Sequence, residues 1–224
     1  MIMRDKRKNT AYFKDYITYE NSRIEKKLEK LKECSDPARA GRVRSSLLLY
    51  QMNVLVASFS AGADKKTLTV LFQNACTTAG QLEQVAYSDA VTLLSFAAML
   101  DKPQGSEALA QRLDKAYGTD KLLHGLATYI ESGQAEWTGN YLFSDVYNGL
   151  DAVIGAADVS GREKALLDYL QGWYNRCSGF AWYDTLESLH DTYYGYWSFE
   201  SAALAKIFGL NVERLSQNEY FPVL

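Results

Sequence analysis

The chain has 224 residues, 47% of them apolar and 23% charged, with a formal net charge of −3. That length suits one large domain or two small ones and is ample for a buried core. The balance is that of an ordinary soluble globular protein and excludes a low-complexity or disordered chain.

The opening Met1-Ile2-Met3-Arg4-Asp5-Lys6-Arg7-Lys8 has no apolar core after its charges, so no secretory signal is expected. Residues 9–33 read as a charged amphipathic helix with Phe13, Ile17, Ile24, Leu28 and Leu31 in one stripe. Asp36-Pro37 restarts the chain, with Asp as N-cap and Pro in the first turn. The next helix runs to about Ala61 and is apolar over two faces, so it belongs in the middle of a bundle. Residues 45–63 carry no charge, but Gln51, Asn53 and the serines argue for a buried helix rather than a membrane span.

Asp64 caps a helix to about Ala79, Ser88 opens one to Leu100, and Asp101-Lys102-Pro103 is a turn. Helices follow at 105–117 and, after a Thr119 cap, at 120–132. Residues 134–159 are less regular, a helix broken near Gly149 or Gly155. Ser160-Gly161-Arg162-Glu163 has the form of a capping box and opens a helix to Arg176. A shorter helix is expected over 179–192, then a last one from Ser198 to Gly209. With only three prolines and no convincing strand, the expected fold is all-α, a bundle of about nine or ten helices.

The densest feature is Tyr193-Tyr194-Gly195-Tyr196-Trp197-Ser198-Phe199-Glu200, which leads into an alanine-rich helix. Ser198 is placed to cap that helix, Glu200 sits in the first turn where the dipole favours negative charge, and Gly209 can close it. The stretch reads as a helix locked to its domain by an aromatic plug. The sharper alternative, a catalytic Glu200, lacks a second carboxylate at a defined spacing.

Other chemistry is sparse. His124 and His190 lie in no metal-binding spacing, and no metal or cofactor is expected. No nucleophile elbow, dinucleotide fingerprint or phosphate loop occurs, so no catalytic residue is assigned. Cys34, Cys76 and Cys177 are widely spaced and read as reduced thiols of a cytoplasmic protein.

Charge is more informative. Residues 1–60 hold 13 Lys and Arg against 7 Asp and Glu, whereas residues 61–224 hold 11 against 20. No Lys or Arg occurs between Lys121 and Arg162. That window carries Glu131, Glu136, Asp145, Asp151 and Asp158 together with Trp137, Tyr141, Phe143 and Tyr147. Asp151 and Asp158 share a face if the helix there is continuous. The window is either a solvated acidic surface or a docking face for a basic partner. The lysines of the first helix alternate with glutamates, which favours a solvated face over a nucleic-acid contact.

Gly195-Tyr196-Trp197-Ser198-Phe199-Glu200, followed by the alanine-rich helix, resembles the C-terminal signature of the PoNi immunity proteins. Arg4-Asp5-Lys6 through Tyr12-Phe13 and Tyr16-Ile17 resembles the opening of that family, and so does the spacing of Trp173-Tyr174 and Trp182-Tyr183. The family often closes on Tyr-Tyr-Pro and an acid; here the end is Tyr220-Phe221-Pro222-Val223-Leu224, without the acid. The resemblance implies a cytoplasmic antidote to a PoNe-type DNase toxin of bacterial polymorphic toxin systems, among them type VI secretion and interbacterial competition. It also implies two helical halves, 1–118 and 119–224, the second carrying the signature. On this reading Gly195, Tyr196, Trp197, Ser198 and Glu200 maintain the fold. Glu131, Glu136, Trp137, Tyr141, Asp145, Asp151 and Asp158 are the candidate toxin contacts, and no direct contact with nucleic acid or membrane is expected. The alternatives are a helical scaffold that self-associates through residues 137–147, and a small all-α hydrolase using Glu200 or Asp191.

Overall fold

The computed structural model describes residues 3–224; Met1 and Ile2, from the segment expected not to be a signal, lie outside them. The fold is all-α: among the described residues there are twelve helices and no strand, only an isolated bridge between Asp120 and Asn140. Three of the helices are single turns of four residues. The chain forms two compact units. One comprises the chain up to Asp89 with Pro103–Gly105 and Thr185–Gly195; the other comprises Ala90–Lys102, Ser106–Asp184 and Tyr196–Leu224.

In the first unit α1 (Thr10–Lys32), α2 (Pro37–Ser60) and α3 (Lys65–Gly80) pack in sequence. Asn9, Asp36 and Asp64 cap them, each side chain accepting a backbone N–H of the first turn. The buried face of α1 is Phe13, Tyr16 and Glu20, while Leu28 of the expected stripe is exposed. Buried Glu20 is tolerated because Arg23, one turn on, pairs with it at 2.7 Å. The second half of α2 is buried nearly all round, as its two apolar faces require. Its end is closed by Arg4, whose Nη1 donates to the Phe59 and Ala63 carbonyls at 3.0 and 2.9 Å. A cation there complements the negative end of the helix.

Residues 193–194 are tied into this unit by side chains. The Tyr193 hydroxyl donates to buried Asp5 at 2.5 Å, Tyr12 donates to the Tyr193 carbonyl at 2.7 Å, and Ser60 donates to the Tyr194 carbonyl at 2.8 Å.

Helix α4 (Tyr87–Met99) begins one residue before the expected Ser88 and passes from the first unit into the second. There α5 (Ser106–Tyr117) packs on α6 (Lys121–Ser132). Next come α7 (Ser144–Tyr147), α8 (Leu150–Gly155), α9 (Val159–Gln171) and α10 (Trp173–Arg176), and after a long irregular segment α11 (Phe199–Phe208) and α12 (Val212–Leu215).

Four local expectations are corrected. Asp120, not Thr119, caps α6, its Oδ1 accepting from Leu123 N–H at 2.8 Å. Ser160–Glu163 is no capping box: Asp158 caps α9, and Glu163 instead accepts from Asn211 N–H at 3.0 Å and pairs with Arg214 at 2.9 Å. Ser198 precedes α11 but makes no capping bond. Residues 179–192 form turns, not a helix. The aromatic stacks decide this last point, because Trp182 lies on Trp173 and Tyr183 on Tyr174, at 5.4 and 4.6 Å between ring centroids. These contacts fold the chain back, and Asp184 at φ 57° stops any helix there.

Candidate functional site

Two regions bring acidic and aromatic residues together, and both lie within the second unit apart from Gly195. The first is the signature. Gly195 is buried at φ 125°, a conformation closed to side-chain-bearing residues in practice. Tyr196, Trp197, Ser198 and Glu200 are all buried. Glu200 Oε1 accepts from the Tyr169 hydroxyl at 2.7 Å, Trp173 Nε1 at 2.6 Å and the Ser198 hydroxyl at 2.7 Å. Burial pushes the Glu200 carboxyl above its ordinary value, and the donors Ser198, Tyr169 and Trp173 offset only part of that. The same burial and the adjacent Glu200 hold the Tyr169 hydroxyl protonated.

Ser198 is therefore spent on Glu200 rather than on the helix end. Its backbone N–H donates to the Tyr220 carbonyl at 2.9 Å, which ties down the C-terminal segment. Phe199 packs on Phe96 at 4.5 Å, and Gly209 ends α11 in the left-handed conformation at φ 63°. Glu200 is 4% exposed and bound to three neutral donors. The arrangement is a polar knot that joins α9, α10 and α11, with a carboxyl that has no access to a substrate.

The second region is the acidic window. Glu131, Glu136, Asp145, Asp151 and Asp158 are all exposed. The helix is not continuous between Asp151 and Asp158, because α8 ends at Gly155, so the two do not share a helical face. Each also has a partner within the fold. Asp151 accepts from Lys121 at 2.9 Å and from the Tyr141 hydroxyl at 2.8 Å. Dehydration opposes its ionisation, but those two bonds outweigh it and lower its pKa. Asp158 caps α9, accepting from Gly161 N–H at 2.7 Å. The side chains of Glu131, Glu136 and Asp145 make no ion pair among the described residues.

Of the aromatics, Trp137 is half-buried with its ring over Gly125, where a Cβ would lie 2.1 Å from the indole, and 6.1 Å from Phe208. Tyr141 is half-buried with its hydroxyl engaged by Asp151, and Tyr147 is buried. The side chains that do reach solvent are Leu142, 61% exposed, and Phe143, 40% exposed. Sequence reasoning passed over Leu142, and also Asp120, whose Oδ2 accepts the Leu142 N–H at 2.7 Å. An Asp directly before a helix was the available signal for Asp120. Nothing in the sequence distinguished an exposed Leu142 from the buried leucines around it.

His124 Nδ1 lies 2.9 Å from Asp114 Oδ1, and His190 and Asp191 are exposed in the irregular segment. Among the described residues no three His, Cys, Asp or Glu side chains converge on a metal-sized site. No helix among them is long and apolar enough to cross a membrane.

The crystal structure of protein PA2201 from Pseudomonas aeruginosa is similar in fold, with a TM-score of 0.72 at 15% identity. The match covers 98% of this chain and 87% of that one. No curated protein matches the sequence. Residues 4–111 match the N-terminal domain of the PoNe immunity proteins (PoNi), and residues 118–223 match the C-terminal domain of the same proteins. The two matches take in nearly all of the chain, including the knot around Glu200 and the acidic window, and the chain belongs to the PoNe immunity protein family.

Proposed function

We propose that this immunity protein binds a cognate PoNe-like DNase toxin domain in the cytoplasm and covers the surface with which that domain grips DNA. The observation that carries this reading is the stretch between Lys121 and Arg162, which holds no Lys or Arg and exposes Glu131, Glu136 and Asp145. A DNase must turn Lys and Arg towards phosphates, so an acidic surface competes for the same groove. Exposed carboxylates also steer the encounter with a basic partner and accelerate association. No turnover and no cofactor are needed; protection is stoichiometric. Trp137, Tyr141, Asp151 and Asp158 support this surface through the contacts described above, and Glu131, Glu136 and Asp145 are its free charges.

The test is to co-express the chain with the toxin domain encoded beside its gene and to follow survival and co-purification. Rescue with a stable complex is the expected result. Co-purification without rescue points to a chaperone or adaptor, and neither binding nor rescue removes the antidote reading. A self-associating scaffold is distinguished by sedimentation at several concentrations, because a stable homodimer through residues 137–147 would mask this surface. Full protection by a folded Glu200→Gln variant disposes of a hydrolase that uses Glu200.

A further inference from the structure

Three consecutive residues on the acidic side of the second unit have their positions set one by one. Asn140 exchanges backbone hydrogen bonds with the start of α6, its N–H donating to Thr119 O at 3.1 Å and its carbonyl accepting from Lys121 N–H at 3.0 Å. Tyr141 is held through its hydroxyl on Asp151, with Lys121 Nζ 5.4 Å from its ring centroid. Leu142 is held through its N–H on Asp120 Oδ2. Behind them Gly139 sits at φ 88° so close to Thr119 that a Cβ would lie 2.2 Å from the carbonyl oxygen. Asp120 is 3% exposed and spends both oxygens, one on the α6 cap and one on this turn.

The product of these constraints is a turn with a fixed backbone and two adjacent apolar side chains, Leu142 and Phe143, turned outward. Asp145 follows in the first turn of α7, and Phe143 is braced from one side by Phe180 at 5.5 Å. An apolar knob beside charge, on a backbone ordered before binding, is the anatomy of an interface centre: the knob loses its water and little entropy remains to be lost.

We infer that the Asn140–Phe143 turn is the central anchor of the toxin contact, with Leu142 inserted into an apolar pocket flanked by Lys or Arg of the DNase domain, and Asp120 the buried residue that holds it in register. This rests on the proposed toxin binding and adds to it a division of labour. Glu131, Glu136 and Asp145 govern how fast the complex forms; Leu142 governs how long it lasts. The partner is a basic protein surface because residues 122–161 carry five carboxylates and no Lys or Arg, and the one cation beside the turn, Lys121, is already paired with Asp151.

The experiment measures association and dissociation rates of the full chain with that toxin domain, for the wild type and for Leu142→Ala, Leu142→Asp and Asp120→Asn. Leu142→Ala changes an exposed side chain and should leave the thermal midpoint in place. It is expected to raise the dissociation rate by about tenfold or more, with the association rate nearly unchanged, and Leu142→Asp by more still. Asp120→Asn, which removes one of two acceptors, is expected to speed amide exchange at Leu142 and to raise the dissociation rate by less than Leu142→Ala. Unchanged dissociation for both Leu142 variants overturns the inference while toxin binding stands. Failure of the wild-type chain to bind removes both. A homodimer that Leu142→Asp dissolves, with toxin affinity unaffected, assigns the turn to self-association and likewise overturns it.

Discussion

The Glu200 knot and the acidic window are built from the same residue types in opposite surroundings. In the knot a carboxyl is dehydrated, surrounded by three uncharged donors and raised in pKa, and its worth lies in ordering Tyr169, Trp173 and Ser198 around one oxygen. In the window the carboxylates of Glu131, Glu136 and Asp145 stay hydrated, and under the proposed function they act through the field they project. Between these extremes stand the exposed Asp151 and Asp158 and the buried Asp120, acids that the fold uses as fasteners. Surroundings, not residue identity, set these carboxyls apart.

The strongest way to break this comparison is at Glu200. Glu200→Ala leaves a hydroxyl, an indole N–H and a second hydroxyl without their acceptor and opens a cavity, so a loss of about 3–5 kcal/mol is expected in denaturant unfolding. Glu200→Gln keeps an amide oxygen where Oε1 accepts and should retain most of that stability. If the two variants prove equally unstable, an acceptor oxygen at that position is not enough to hold the knot.

Asp120 tests the intermediate case. Asp120→Ala removes a helix cap and orphans the Leu142 N–H, with an expected cost of about 2–3 kcal/mol. Equilibrium unfolding reads the stability, and faster amide exchange confined to Leu142 and Leu123 would separate the two functions of the side chain.

A third test uses pH. Asp89 is dehydrated, and although it lies in the first turn of α4, where the helix dipole favours charge, its pKa rises to about 6. A carboxyl raised on folding contributes stability that is complete below its unfolded value and is lost as pH rises through the folded one. The native chain should therefore lose stability between about pH 4 and pH 6 on account of this group. Asp89→Asn should remove that slope and stabilise the protein at neutral pH by about 1–2 kcal/mol. Thermal melts of both forms across the range would check the sign.

The smallest effect on stability belongs to the window. The triple reversal of Glu131, Glu136 and Asp145 to Lys should change the unfolding free energy by about 0.5 kcal/mol or less. It should slow association with the toxin domain by about tenfold at low salt, less at high salt. A large loss of stability would show that these carboxylates are fasteners too.

What the sequence by itself determined was mostly local. Asp36 with Pro37, Asp64, and the periodic runs of α2 and α3 specify their helices because a cap and an apolar stripe act over a few residues. The all-α class follows from the same signals, and the residues around Gly195–Glu200 carried the family. Long-range partners were decided only in the folded chain. Ser198 is a good cap by type, yet Glu200 claims its hydroxyl once Tyr169 and Trp173 arrive from α9 and α10. Ser160–Glu163 fits a capping box, yet Arg214 and Asn211 of the α12 turn draw Glu163 away. Residues 179–192 carry helix-forming residues, yet ring stacking on Trp173 and Tyr174 folds them into turns. The exposed Leu142 depends on Asp120, some twenty residues earlier in the chain. A hydrogen bond or ring contact across such separations leaves no periodic trace in the sequence, so the outward face of this protein had to be read from its tertiary structure.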